Sequence, residues 1–319
     1  MDLAAYVRKH RITAVIMNPK NFHYFTGINA QGVLIQGKKK KIFLSSLDKQ
    51  NKGAIPLTKE NLEKELKGIK RIGLELNTIS HNKYLEFKKP YVHNISPAIE
   101  QARSIKSEKE IRLIKKACKY TDEIFASVIK KRFNTEKELQ ALIIYEIYRH
   151  GLEPSFTPIV ASGKNAGTPH HIPGNQLNKG FLIIDFGVKY KGYCSDMTRT
   201  IYIGKPTQHE RAIYDSLLST QEKAITMLCT HSLDEIDSFT RNPDYPHSLG
   251  HGIGLDIHEK PFLRKGQNIE EGMVLAIEPG RYTRSYGIRI EDDILIRKRP
   301  IQLTKSPKEL IMTLPNKNI

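Results

Sequence analysis

Phe181-Leu182-Ile183-Ile184-Asp185-Phe186-Gly187 is the stretch whose reading decides the fold. It is apolar almost end to end, as a buried strand is, yet it carries one carboxylate. A charge in that position is costly unless it is paired or bound to a cation. The chain then turns through Lys189 to Gly192 and returns as Tyr193 to Ile203, interrupted by Asp196. With the turn centred between Tyr190 and Lys191, Asp185 pairs with Asp196, and opposed residues of antiparallel strands point to one face. Two carboxylates side by side demand a shared proton or a cation.

The device recurs further along. Val274 to Glu278 is an apolar strand leading into Glu278-Pro279-Gly280, and Gly287 to Ile296 is another strand, containing Glu291. The midpoint of positions 278 and 291 falls in the polar turn between Arg284 and Ser285, so Glu278 and Glu291 are expected to be presented as the first pair is. Between the hairpins lies His247-Ser248-Leu249-Gly250-His251-Gly252-Ile253-Gly254-Leu255-Asp256-Ile257-His258-Glu259, where glycines let the backbone approach a site closely. Four carboxylates and a histidine form an oxygen-rich set. It suits two hard or borderline cations such as Mn²⁺, Co²⁺ or Fe²⁺ better than a closed structural zinc site.

Long helical periodicity surrounds these strands. Ser107-x-x-Glu110 is a capping box, followed by Ile111, Ile114, Cys118, Phe125, Val128 and Ile129 roughly on one face. Thr135-x-x-Glu138 opens a second helix with Leu139, Leu142, Ile143 and Ile147, which Gly151 can stop, and Thr207-x-x-Glu210 opens a third towards Leu228. Helices followed by a hairpin therefore occur twice. The residues before them read as a smaller mixed unit: strands at Ile12 to Met17, Gly32 to Gln36, Lys41 to Ser45 and Ile72 to Leu76, with a helix at Lys59 to Leu66. The change of texture near Glu100 to Arg103 divides the chain into domains 1–102 and 103–319.

Five motifs now stand in order: Asp185-Phe186-Gly187, Ser195-Asp196-Met197-Thr198-Arg199-Thr200, Gly250-His251-Gly252-Ile253-Gly254, Glu278-Pro279-Gly280 and Arg289-Ile290-Glu291-Asp292-Asp293. Together they resemble the pita-bread metallopeptidases, the family of prolidase, aminopeptidase P and methionine aminopeptidase, over about residues 105 to 300. Tyr24-Phe25-Thr26-Gly27 resembles the creatinase-like N-terminal domain of that family. The resemblance implies an α+β pita-bread fold: a curved antiparallel sheet backed by helices, preceded by a smaller α/β domain. It implies two divalent metal ions, manganese foremost with Co, Fe or Zn as alternatives, held by Asp185, Asp196, His251, Glu278 and Glu291. Asp196 and Glu291 would bridge the ions, and a hydroxide between them would attack the peptide carbonyl. Glu278 would shuttle the proton, with His170, His258 and His247 on the substrate side and Arg289 orienting Glu291 or meeting substrate.

The implied activity is that of an Xaa-Pro aminopeptidase acting on proline-containing peptides, with Xaa-Pro dipeptidase (prolidase) as the alternative. The extra N-terminal domain argues against plain methionine aminopeptidase, and its role in relatives implies a homodimer. A metal-free binding protein on the same scaffold would have lost at least one ligand, and none is replaced. Taken singly, the residues have other readings: Asp196 could pair with Arg199, His171 reads as a surface residue or one that supports the site, not a ligand, and Cys194 as a nucleophile has no adjacent base.

Composition narrows the setting. The 51 Lys and Arg against 34 Asp and Glu give +17, but the densest run, Lys38-Lys39-Lys40-Lys41, sits between two apolar runs as a hairpin tip. A solvated basic surface is expected there, not a nucleic-acid site. Three cysteines match neither a disulfide framework nor a zinc knuckle. Neither a signal-peptide pattern nor an apolar run long enough to span a membrane is seen, so a cytoplasmic setting is expected.

Overall fold

The computed structural model describes residues 1–45, 53–264 and 266–313. The chain forms two compact units, Met1–Arg103 and Ser104–Ile319.

The first unit runs α1 (Leu3–His10), β1 (Thr13–Ile16), α2 (Pro19–Thr26), β2 (Gly32–Gln36), β3 (Lys40–Leu44), β4 (Ile55–Pro56), α3 (Lys59–Leu66), β5 (Arg71–Leu74), α4 (His81–Phe87), β6 (Tyr91–Asn94) and α5 (Ser96–Ser104). Its six strands form one mixed sheet in the order β4-β3-β2-β1-β5-β6, with β5 parallel to both β1 and β6. The expected strands and α3 are present. Four further helices are present that hydrophobic periodicity did not flag. Three begin at side-chain caps, Asp2, Asn18 and Ser80, each accepting from backbone N–H groups of the first turn. Lys38 and Lys39 lie at the tip of the β2–β3 hairpin, whereas Lys40 and Lys41 open β3, and Lys41 pairs with Glu65.

The second unit begins with α6 (Glu108–Val128) and α7 (Glu136–Arg149). There follow β7 (Glu153–Pro154), β8 (Ile159–Ser162), a 3₁₀ turn at Gly163–Gly167, β9 (Gly180–Phe186), β10 (Val188–Tyr190), β11 (Tyr193–Cys194) and β12 (Met197–Ile203). The second half has α8 (Gln208–Met227), α9 (Leu233–Thr240), β13 (Gly250–Gly252), β14 (Glu259–Phe262), β15 (Val274–Ile277), β16 (Gly280–Tyr282), β17 (Gly287–Arg289), β18 (Asp292–Leu295), β19 (Ile301–Gln302) and β20 (Met312–Thr313). The largest sheets are β20-β12-β9-β8 and β14-β13-β15-β18-β19. Helices α6 and α7 pack Ala117, Ile124, Phe125, Leu139 and Ile143 against Leu182, Ile184 and Ile201 of the first sheet. Helices α8 and α9 place Ala224, Leu228 and Ile236 against Leu275, Ile277 and Ile294 of the second.

Both halves of the capping box form at Ser107 and Thr207. At Thr135 only the hydroxyl half does: Glu138 N–H donates to Thr135 Oγ1, but the Glu138 carboxylate accepts from Asn134 N–H. A further box at Ser232 and Glu235 opens α9.

The first hairpin departs from the expected register. Asp185 opposes Thr198, not Asp196, because the turn is centred one residue later, on Lys191 and Gly192. Both have positive φ, 50° and 87°, as a two-residue turn matching the strand twist requires, and Gly192 is the residue that takes this conformation readily. A slip of two residues keeps side chains on the same face, so Asp196 stays on the Asp185 side of the hairpin. Arg199 does not pair with Asp196. Its guanidinium is buried against Asp292 (2.7 Å) and the carbonyls of Glu291 and Ser306. The second hairpin has the expected register but a break in its middle: Ile277 opposes Asp292 and Gly280 opposes Arg289, leaving Glu278 and Glu291 opposite each other in the gap.

Candidate active site

Each of the five expected ligands sits at a strand end or an interruption of pairing. Asp185 is the penultimate residue of β9, Asp196 immediately precedes β12, His251 lies where the β13–β14 register shifts, and Glu278 and Glu291 occupy the gap between ladders. Backbone bonds hold them in place. Asp196 N–H donates to Asp293 Oδ2, Glu291 N–H to the Thr198 carbonyl, and Glu278 N–H to the Leu249 carbonyl. Gly187 makes the close approach possible, since a Cβ there would lie 1.7 Å from the Ser195 oxygen.

Ligand atoms of Asp196, His251 and Glu291 lie within 4.8 Å of one another, all buried. His251 Nε2 is 3.8 Å from Asp196 Oδ2 and 3.6 Å from Glu278 Oε1. The ring's tautomer follows from its other nitrogen: Nδ1 faces the Gly252 carbonyl at 3.2 Å, and a carbonyl only accepts. Nδ1 therefore carries the proton, and Nε2 turns a lone pair towards carboxylate oxygens. Asp185 Oδ1 and Asp196 Oδ1 are buried with no hydrogen-bond donor. Lone pairs and carboxylate oxygens converging without donors are the donor set of a cation site, and this one fits divalent ions.

The electrostatics agree. Burial, then the charges of Glu291, Asp185, Asp293 and Glu278, push Asp196 well above the carboxylate range. Burial and the charges of Glu278 and Asp185 do the same to Glu291. Glu278 is raised to about 8 by burial, against the pull of Arg289. His251 is pushed down to about 3, and His247 to about 4, chiefly by burial. Both rings are therefore neutral at pH 7.

Arg289 does not reach Glu291 directly. Its Nη2 donates to Asp185 Oδ2 at 2.7 Å, and its Nε donates to Thr198 Oγ1, which in turn donates to Glu291 Oε2 at 2.7 Å. Its Nη1 donates to Tyr282 Oη at 2.7 Å, and Tyr282 Oη lies 3.0 Å from His247 Nε2. His247 Nδ1 donates to the Ser248 carbonyl, so Tyr282 supplies the proton of the bond to Nε2. Sequence reading missed Tyr282 and Thr198, because nothing local marks a hydroxyl that acts through a residue distant in the chain. His258 stacks edge-on against His251 with ring centres 4.2 Å apart. His170 is exposed, close enough to His247 and His258 for its charge to depress both. His171 binds Glu136 at 2.9 Å, and the Cys194 thiol is buried against the Leu255 carbonyl.

A family model described as metallopeptidase family M24 matches residues 112–298, and one described as the creatinase/prolidase N-terminal domain matches residues 3–105. The chain belongs to metallopeptidase family M24. It is accordingly a peptidase with the pita-bread fold, of the prolidase and Xaa-Pro branch. Among the relatives of this M24 peptidase is the Xaa-Pro dipeptidase of Pyrococcus horikoshii, 35% identical over 340 residues and covering 96% of each chain. Among solved structures, the Xaa-Pro dipeptidase from Bacillus anthracis superposes with a TM-score of 0.89 at 30% identity, over 98% of both chains. The X-Pro aminopeptidase from Thermotoga maritima gives 0.86 at 28%, over 96% of this chain and 100% of that one. No helix among the described residues is long and apolar enough to cross a membrane.

Proposed function

We propose that this M24 peptidase is an Xaa-Pro dipeptidase, hydrolysing the bond between an N-terminal residue and a following proline in a dipeptide. The observation that carries the hydrolytic reading is the buried convergence of Asp185, Asp196, His251, Glu278 and Glu291 around donor-free oxygens. The dipeptidase reading draws support from relatives bearing that name at full length, and it takes precedence over the aminopeptidase reading that the sequence put first.

Asp185, Asp196, His251, Glu278 and Glu291 would hold two divalent ions. When bound, such ions polarise a carbonyl and make water a nucleophile near neutral pH. The remaining work falls to the chain's own groups. Glu278 has two oxygens in a half-buried position, one towards His251 Nε2 and one 3.8 Å from His247 Nδ1, and is suited to carry a proton to the proline nitrogen as the bond breaks. Arg289 fixes Asp185 and, through Thr198, Glu291. His258 and His170 present imidazoles on the open side, suited to donate to the oxyanion as charge develops there. A manganese-loaded homodimer in the cytoplasm belongs to the same reading.

Xaa-Pro dipeptides and Xaa-Pro-Yaa-Zaa tetrapeptides, assayed after chelation and after return of Mn²⁺, Co²⁺ or Zn²⁺, test this. Metal-dependent cleavage confined to dipeptides is expected. Faster cleavage of tetrapeptides would restore the aminopeptidase reading, and activity surviving complete metal removal would overturn both. Sizing of the loaded protein tests the dimer.

A further inference from the structure

We infer that Glu136 is a positioning residue for His170, its single carboxylate gripping the chain on both sides of that histidine. The inference rests on the dipeptidase reading for the role of His170. Glu136 is the first residue of α7, and its side chain is fully buried. Oε1 accepts from Ser162 N–H (2.7 Å), Ser162 Oγ (2.7 Å) and Asn165 Nδ2 (3.0 Å), all before His170. Oε2 accepts from His171 Nε2 (2.9 Å) and Gly174 N–H (2.8 Å), both after it. The helix start adds two backbone bonds to the same segment, from Glu136 N–H to the Gln176 carbonyl and from Lys137 N–H to the Gly174 carbonyl.

His170 lies inside this clamp. Thr168 N–H donates to the Asn165 carbonyl and His171 N–H to the Thr168 carbonyl, so the turn bearing His170 hangs between two residues that Glu136 holds. The exposed His170 ring makes no hydrogen bond of its own among the described residues, and its place is set by its backbone. A carboxylate suits this task because every group facing it is an obligate donor except the imidazole and the Ser162 hydroxyl, which can donate. An amide has an acceptor at one end only, and its NH₂ would confront either the Ser162 or the Gly174 N–H. A displacement of about 1 Å at a catalytic group is enough to lower a rate by orders of magnitude.

The test compares Glu136→Gln with the parent enzyme, each with and without His170→Ala, loaded with Mn²⁺. Glu136→Gln is expected to lower kcat for an Xaa-Pro dipeptide roughly tenfold to a hundredfold, with KM and metal content little changed. In the His170→Ala background the same substitution should cost less than about twofold, since its route of action is gone. Equal losses in both backgrounds, or none in either, overturn the inference. Should Glu136→Gln fail to fold, His171→Ala removes one of the five bonds at a partly exposed site. It should give a smaller loss that again vanishes with His170→Ala. Hydrogen exchange of the Thr168 and Gly174 amides adds a reading that needs no turnover. Faster exchange in Glu136→Gln is expected, and unchanged exchange counts against the clamp. A parent enzyme inert towards every Xaa-Pro peptide would defeat the dipeptidase reading and leave the exchange result to judge the clamp.

Discussion

Chelation should convert the second unit into a domain whose stability falls as pH rises through neutrality. In the folded, metal-free chain Glu278 and Asp293 are both raised to about 8, from ordinary values of 4.5 and 3.8, in each case mainly by burial. A group whose folded pKa is raised contributes stability that is fully present below its unfolded pKa and is lost as pH climbs to the folded value. His251 and His247, depressed to about 3 and about 4, act in the opposite sense, but only below 6.5, where an unfolded histidine binds its proton. Between about pH 6.5 and 8 the carboxyls therefore act alone. Each pH unit is worth about 1.4 kcal/mol per group, so Glu278 by itself accounts for about 2 kcal/mol over that interval. For a unit of this size that is a fall in Tm of roughly 4–8 °C, and Asp293, Asp196 and Glu291 add in the same direction. Scanning calorimetry of chelated and Mn²⁺-reloaded protein at half-unit steps would measure it. Reloading should remove the decline, because bound cations favour the ionised carboxylates, and Glu278→Gln should reduce it in the chelated protein. A chelated protein whose Tm is flat or rising over this interval would refute the buried carboxyl cluster.

Asp196→Ala and Glu291→Ala should abolish both metal occupancy and turnover, whereas His170→Ala and His258→Ala should retain metal and lower kcat; metal analysis beside single-turnover rates separates the two classes. Glu259→Gln should destabilise the chain by about 3–5 kcal/mol in denaturant titration, since it strips the partner from the buried Lys106 ammonium, 3.0 Å away. Tyr282→Phe removes the bridge between Arg289 and His247 and should lower kcat about tenfold while metal content holds, which the same assays report. Gly187→Ala should yield little folded protein on expression, because its methyl group would meet the Ser195 carbonyl far inside van der Waals contact.

What could be read in the sequence was whatever a local pattern dictates. Alternation and apolar runs marked the ligand-bearing strands, and the position of the carboxylates within them marked the ligands. The 278/291 pairing followed from a polar turn alone. The 185/196 pairing came out two residues away because the turn residues were assigned by polarity, while the left-handed conformation at Lys191 and Gly192 decides where the chain reverses. The plainer alternative for Asp196, a pair with Arg199, fails because the strand's alternation sends Arg199 to the other face and Asp292. Tyr282, Thr198 and Glu136 were invisible for a different reason. Their partners are 7 to 93 residues away in the chain, and no local spacing encodes such contacts.

The hairpin that carries Asp185 and Asp196 reverses at Lys191 and Gly192, beyond the short β10–β11 ladder, with Lys191 exposed. Chain length at this tip is thereby uncoupled from the coordination geometry. An epitope or dye-binding peptide spliced between Lys191 and Gly192 enlarges a loop on which no ligand depends, and the tagged chain should keep its metal and its turnover. One residue added between Asp196 and Met197 would instead rotate the aspartate to the far face and empty the site. A tolerant graft point and an intolerant one thus lie within a few residues of each other.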